Sequence, residues 1–197
     1  MTEDARNAYT LKRRTHWDSR ALKYHADAGC GRFYHERITE IFRFLVLPKQ
    51  NVLEIGCGQG DLLAALDAAK GVGVDFSGEM VRRGEQQHPD LRFVQQDAHE
   101  LELDETFDVI ILSDLLNDLW DVQTVFQRLS ALSHDRTRII INSYSRLWEN
   151  PLALTQYFKL AGPTLYQNWL TVDDITNLLN LAEFEVIRHW SEILCPL

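Results

Sequence analysis

Cysteine, basic charge and long apolar runs are all scarce in this sequence, and each shortage removes a class of protein. Cys30, Cys57 and Cys195 are three in number and widely scattered. They allow neither a disulfide framework nor a CxxC pair, and they read as buried or incidental thiols in a reducing compartment. Against 29 Asp and Glu stand only 20 Lys and Arg, for a net charge of −9. That sign excludes a nucleic-acid backbone as the main partner. The one basic cluster, Lys12, Arg13 and Arg14, reads as a solvated helix face. Apolar runs such as Val109–Leu112 are far shorter than a membrane span, and the opening MTEDARNAYTLKRR has no apolar signal region. A cytoplasmic location with no membrane partner is the expectation. HERIT (35–39) and HELEL (99–103) begin like a zinc-binding helix but lack its second histidine, and no G-x-S-x-G elbow exists. Neither metal catalysis nor a serine hydrolase is expected.

What is present is a chain of 197 residues, 45% hydrophobic and 25% charged, enough for one domain with a real core. Apolar runs and turn signals predict strands at Val52–Ile55, Gly71–Asp75, Leu91–Gln95, Phe107–Leu112, Arg138–Ser143 and Phe184–Trp190. Helices are predicted between them at Asp61–Ala69, Gly78–Gln87 and Leu119–Leu132, with another opened by Thr171 and the acids after it. Two more, Leu11–Lys23 and Phe33–Leu45, precede the first strand, and 144–170 is a long irregular stretch. The fold class is α/β, doubly wound, with a mostly parallel sheet and helices on both faces. Residues 1–50 form a helical lid and 51–197 the core of a single domain.

The segment VLEIGCGQGDLLAAL (52–66) carries the chemistry. Glycines at 56, 58 and 60 allow a tight turn off the first strand and a close ligand approach. The following helix N-terminus favours a carboxylate or a phosphate. The spacing, Glu54-x-Gly56-x-Gly58-x-Gly60, is not the dinucleotide pattern. Glu54 is unwelcome beside a pyrophosphate and helpful beside an amino group or sulfonium, so a cationic ligand with its own carboxylate fits better. Asp75 ends the second strand, where nucleotide-binding sheets hold ribose hydroxyls; it also suits a helix cap. Asp97 ends the third and suits an exocyclic amine such as adenine's, or simple loop punctuation. Ser113, Asp114 and Asn117 follow the fourth strand at the same edge.

Taken together, VLEIGCGQGDLL, VGVDFSGEMV, VQQDAHEL and FDVIILSDLL resemble the four motifs of the class I S-adenosylmethionine-dependent methyltransferases. The resemblance runs from about Asn51 to Trp190. It implies a Rossmann-like methyltransferase sheet with S-adenosylmethionine as cofactor. The loop Gly56, Cys57, Gly58 and Gly60 would pass beneath the methionine part, with Glu54 near its amino group. Asp75 would hold the ribose and Phe76 lie against the adenine, with Ser77 and Met80 in the same binding turn. Asp97 would take the adenine amine beside the Ala98 backbone. Ser113 would border the methionine, and Asp114 would point toward the transferred methyl.

The reaction implied is in-line methyl transfer to a small-molecule or saccharide-type acceptor. A hydroxyl or amine acceptor must lose a proton, so a base within reach helps. Tyr34, His35 and Asp114 are the catalytic candidates. His16, Tyr24 and His25 on the lid, Asn142 and Tyr144 at the end of the fifth strand, and Asn168 and Trp169 in YQNWL are substrate-side candidates. The last two segments resemble methyltransferase modules found beside bacterial glycosyltransferase-type domains. The alternative is a cofactor-binding module without turnover. Family members end in a reversed hairpin, whereas this sequence stops at EILCPL with no room for a full seventh strand. The expectation is a trimmed or differently ended sheet, whose unpaired edge invites self-association.

Overall fold

A computed structural model of the chain describes residues 3–23, 30–144, 165 and 167–192. Five strands form its sheet: β1 (Asn51–Ile55), β2 (Lys70–Asp75), β3 (Arg92–Gln95), β4 (Phe107–Ser113) and β5 (Ser133–Asn142). Their order is β3-β2-β1-β4-β5, and every pairing is parallel. The helices are α1 (Glu3–Lys23), α2 (Cys30–Leu45), α3 (Asp61–Ala64), α4 (Gly78–Gln87), α5 (Val122–Leu129) and α6 (Val172–Leu181). Among the described residues no helix is long and apolar enough to cross a membrane.

Strand parity builds the two faces. Leu53, Ile55, Ile110 and Leu112 point to one side and pack with Val125, Phe126 and Leu129 of α5 and Leu179 of α6. Val52, Val109 and Ile111 point to the other and pack with Ile38 and Phe42 of α2 and Leu63 of α3. The central strands are buried on both sides, which explains why they read as unbroken apolar runs. Ile38 and Phe42 of α2 therefore belong to the core, while α1 lies against α4 and the loop after β4. Side-chain caps start three helices: Ser77 on α4, Asp121 on α5, and Thr171 in a capping box with Asp174 on α6.

The structure corrects several expectations. The helix after the glycine loop is one turn, not Asp61–Ala69. Lys49 N–H bonds to Asp67 O and Ala69 N–H to Gln50 O, which pulls the chain out of helix and into β2. Phe184–Trp190 is not a strand of the sheet. Phe184 and Val186 pack on the core and Ile187 is exposed, so the alternation is real but no ladder accompanies it. Arg13 is not on a solvated face: it is buried, its Nη2 lies 3.5 Å from Asp118 Oδ1, and it stacks on the Tyr9 ring.

Candidate active site

At the carboxyl edge, β1 and β4 are neighbours while β2 lies on the far side of β1. The connections diverge there, which is where open parallel sheets hold ligands. A cavity of about 1080 Å³ opens at this point, roofed by α1 and α2. Its size is in the range of small-molecule sites.

Glu54, the penultimate residue of β1, lies on the floor of the cavity. It is 3% exposed, and its Oε2 has no hydrogen-bond partner. Burial, with Asp75, Asp61 and Asp114 nearby, pushes its carboxyl up to about 8 against an opposing bond from the Leu63 N–H. The amide of buried Gln59 has both polar atoms unpaired as well, a feature no sequence signal marked.

Four N–H groups of the glycine loop are engaged within the protein. The N–H groups of Gly56 and Cys57 bond to Val74 O, Gly60 N–H to Cys57 O, and Gly58 N–H to Asp75 Oδ2. The unpartnered Oε2 of Glu54 stands as a buried acidic oxygen on the cavity floor.

Asp75 is held at both oxygens, Oδ2 by Gly58 N–H and Oδ1 by Ser77 N–H, each at 2.9 Å. Burial pushes its carboxyl up to about 6, with those backbone bonds opposing and Asp18 adding repulsion. Each oxygen keeps a lone pair for a further donor. Ser77 itself is fully buried; its hydroxyl caps α4 and donates to Asp18 Oδ1 of α1 at 2.5 Å. Its backbone N–H holds Asp75, and it stands behind the cavity wall.

Asp114 sits just past β4 with φ 54, a left-handed conformation unusual for a residue with a side chain. Its Oδ1 accepts from Asn142 Nδ2 at 2.7 Å, and the Tyr34 hydroxyl lies 2.6 and 2.8 Å from its two oxygens. Tyr34 stacks on Tyr144 with ring centres 5.6 Å apart. Burial pushes the Asp114 carboxyl up to about 6 against the bond from Tyr34 and the neighbouring His35. Burial and Asp114 also raise the Tyr34 hydroxyl, so it remains a donor.

A family model described as a methyltransferase domain matches residues 47–184. The chain belongs to that family. It is 31% identical over 121 residues to a demethylmenaquinone methyltransferase of Streptomyces avermitilis, covering 59% of this chain and 52% of the relative. It spans about half the length of the curated relatives it matches. The magnesium protoporphyrin IX methyltransferase of Synechocystis, solved with bound S-adenosylhomocysteine, superposes with a TM-score of 0.68 at 20% identity, covering 87% of this chain and 84% of that one. The N-methyltransferase NodS of Bradyrhizobium japonicum, also with S-adenosylhomocysteine, gives 0.58 at 18% identity over 75% and 74%.

Within this methyltransferase fold the cavity wall includes Glu54, Gly56, Cys57, Gly58, Asp75, Phe76, Met80, Asp97, Ala98, Ser113 and Asp114, together with His16, His35 and Tyr144. Gly60 lies behind it, against Phe93. Tyr34 and Asn142 reach the site by holding Asp114. Asn168 is not part of the wall. Its Nδ2 donates to Leu119 O at 2.5 Å and Leu116 O at 3.4 Å, and its carbonyl accepts from Asn117 Nδ2 at 2.7 Å. It braces the loop after β4, and Trp169 beside it does not line the cavity either. Tyr24 and His25 lie outside the described residues. Missed by the sequence reading were Arg13 and Asp118, which with Trp17 clamp α1 over the cavity: Trp17 Nε1 donates to Asp118 Oδ2 at 3.0 Å.

Proposed function

We propose that this chain binds S-adenosylmethionine and transfers its methyl group to a hydroxyl or amine of a small-molecule acceptor, saccharides included. The observation that carries this reading is the buried, unpartnered oxygen of Glu54 on the cavity floor. An uncompensated buried carboxylate is costly, and a cationic amino group beside it removes that cost. The other residues fit the same ligand. Asp75 has an acceptor position free on each oxygen for a ribose diol, Phe76 offers a ring for a base, and Asp97 offers a carboxylate for an exocyclic amine.

When bound, the cofactor supplies a methyl carbon already activated by its sulfonium. The protein's contribution is position, exclusion of water and a proton acceptor. Asp114 lines the cavity and is more basic than an exposed aspartate, which suits it to take the acceptor's proton near neutral pH. Tyr34 and Asn142 are positioning residues that fix its orientation. His16, His35 and Tyr144 wall the acceptor side.

Calorimetric titration with S-adenosylmethionine and S-adenosylhomocysteine, with NADH as control, tests the reading. Binding of both, with NADH silent, supports it; no binding of either overturns it. Radiolabelled methyl transfer to a panel of hydroxyl and amine acceptors, saccharides among them, then tests turnover. Cofactor binding without any transfer would make the chain a binding module.

A further inference from the structure

On the cavity wall beside Asp97, His99 is engaged at both ring nitrogens and at its backbone N–H. It lies in the short 3-10 turn Ala98–Glu100 after β3 and is 7% exposed. The Asp121 backbone N–H donates to its Nε2 at 3.1 Å. A backbone amide can only donate, so Nε2 carries no proton, and the proton of the neutral ring sits on Nδ1. Nδ1 lies 2.6 Å from Asp97 Oδ1, the oxygen that also accepts the His99 backbone N–H at 2.9 Å. Two donors converge on one carboxylate oxygen, and the other, Oδ2, is left to the cavity that Asp97 lines.

Asp121 is itself fixed. It caps α5, accepting from the Thr124 N–H at 3.1 Å and the Thr124 hydroxyl at 2.8 Å, and α5 is anchored in the core by Val125, Phe126 and Leu129. A rigid line therefore runs from the core through the Asp121 N–H and the His99 ring to Asp97. Burial opposes ionisation of Asp97, but the side-chain and backbone bonds from His99 outweigh it and hold the carboxyl below its ordinary range. Asp97 is thus kept as a pure acceptor in one orientation.

We infer that His99, through its Nδ1–H tautomer, is the positioning residue that makes Asp97 select a 6-amino purine over a 6-oxo purine. The inference rests on the cofactor reading proposed above. An amino group donates to the fixed carboxylate oxygen, whereas a 6-oxo group presents a second acceptor and meets repulsion.

The test is calorimetric titration of the full chain and its His99→Leu variant with S-adenosylhomocysteine and with its 6-oxo counterpart, S-inosylhomocysteine. The wild type is expected to favour the adenine form by about tenfold or more, the scale of one charge-assisted hydrogen bond. His99→Leu should bring the two affinities toward parity, mainly by weakening the adenine form. An unchanged ratio, or equal weakening of both ligands, would reduce His99 to a structural prop and overturn the inference. Should the variant fail to melt cooperatively, the ¹⁵N resonances of the His99 ring in the wild type decide: Nδ1–H supports the inference and Nε2–H overturns it. Failure of the wild type to bind S-adenosylhomocysteine would instead strike the cofactor reading, and the ring tautomer would still report on His99.

Discussion

The Tyr34 hydroxyl lies within hydrogen-bond distance of both carboxylate oxygens of Asp114, at 2.6 and 2.8 Å. One partner comes from α2 and the other from the end of β4, and Asn142 of β5 closes the group by donating to Asp114 at 2.7 Å. Asp114 holds a left-handed backbone that costs about 1 kcal/mol. Three elements thus converge to aim one carboxylate into the cavity, and the donor on α2 tunes its basicity.

Tyr34→Phe should therefore shift the pH dependence of turnover. The hydroxyl favours the ionised form of Asp114, whose carboxyl stands at about 6. Removing that donor raises it further, by about one unit if the bond contributes an ordinary 1 kcal/mol or so. The acidic limb of the kcat profile should move up by that amount, with turnover recovering at higher pH and affinity for S-adenosylhomocysteine unchanged. An acidic limb that stays in place would remove Asp114 as the proton acceptor.

Cofactor binding at pH 7 should release a proton. The Glu54 carboxyl at about 8 is mostly protonated at pH 7, and a cationic amine beside Oε2 returns it toward its ordinary value. Calorimetry in buffers of different ionisation heat should give release of up to about one proton per ligand, and Glu54→Gln should abolish the buffer dependence. The same shift has a signed effect on the ligand-free protein. Because the folded value lies above the unfolded one, the stabilisation is complete below the ordinary glutamate range and is lost as pH rises through about 8. The free protein should melt lower at pH 8.5 than at pH 6, and ligand should narrow that gap. A binding enthalpy independent of buffer would rule out Glu54 as the amine's partner.

The alternating sheet and its edge were legible because parallel strands buried on both faces leave unbroken apolar runs, and Glu54, Asp75 and Asp97 each stand where such a run ends. The shortness of α3 was not, because periodicity in DLLAALDAA cannot report the backbone bonds of Lys49 and Ala69 that unwind it. Nor was burial of Arg13, since its ion-pair partner Asp118 is joined to it only by tertiary packing. Phe184–Trp190 has the alternation of a strand, and alternation reports which side is covered, not whether a ladder forms.

Asn168 illustrates the same limit and gives a further test. Polar and next to an aromatic, it reads as a substrate contact, yet its amide is engaged by the carbonyls of Leu119 and Leu116. Asn168→Ala should lower stability by about 1–3 kcal/mol, the range for leaving buried acceptors unpaired. A denaturant melt measures that loss. Acceptor affinity per folded molecule should not change, and a selective loss of acceptor binding with full stability would return Asn168 to the site.

Two glycines of the loop should separate fold from binding. A Cβ on Gly60 would lie 2.6 Å from the Phe93 ring, which also abuts Gly73 and Gly84 and so has nowhere to move. With φ +83 in addition, Gly60→Ala should cost about 2–4 kcal/mol of stability, left-handed strain plus overpacking. At Gly58 the added methyl meets only Met80 Sδ at 4.0 Å, and both residues line the cavity. Gly58→Ala should thus cost only the strain of φ +54, about 1 kcal/mol, while the methyl occupies space where a ligand would approach the backbone. Thermal melts should therefore single out Gly60, and S-adenosylhomocysteine titration should single out Gly58. If Gly58→Ala binds as tightly as the wild type, the ligand does not pass over this loop, and the cavity would have to hold it against another wall.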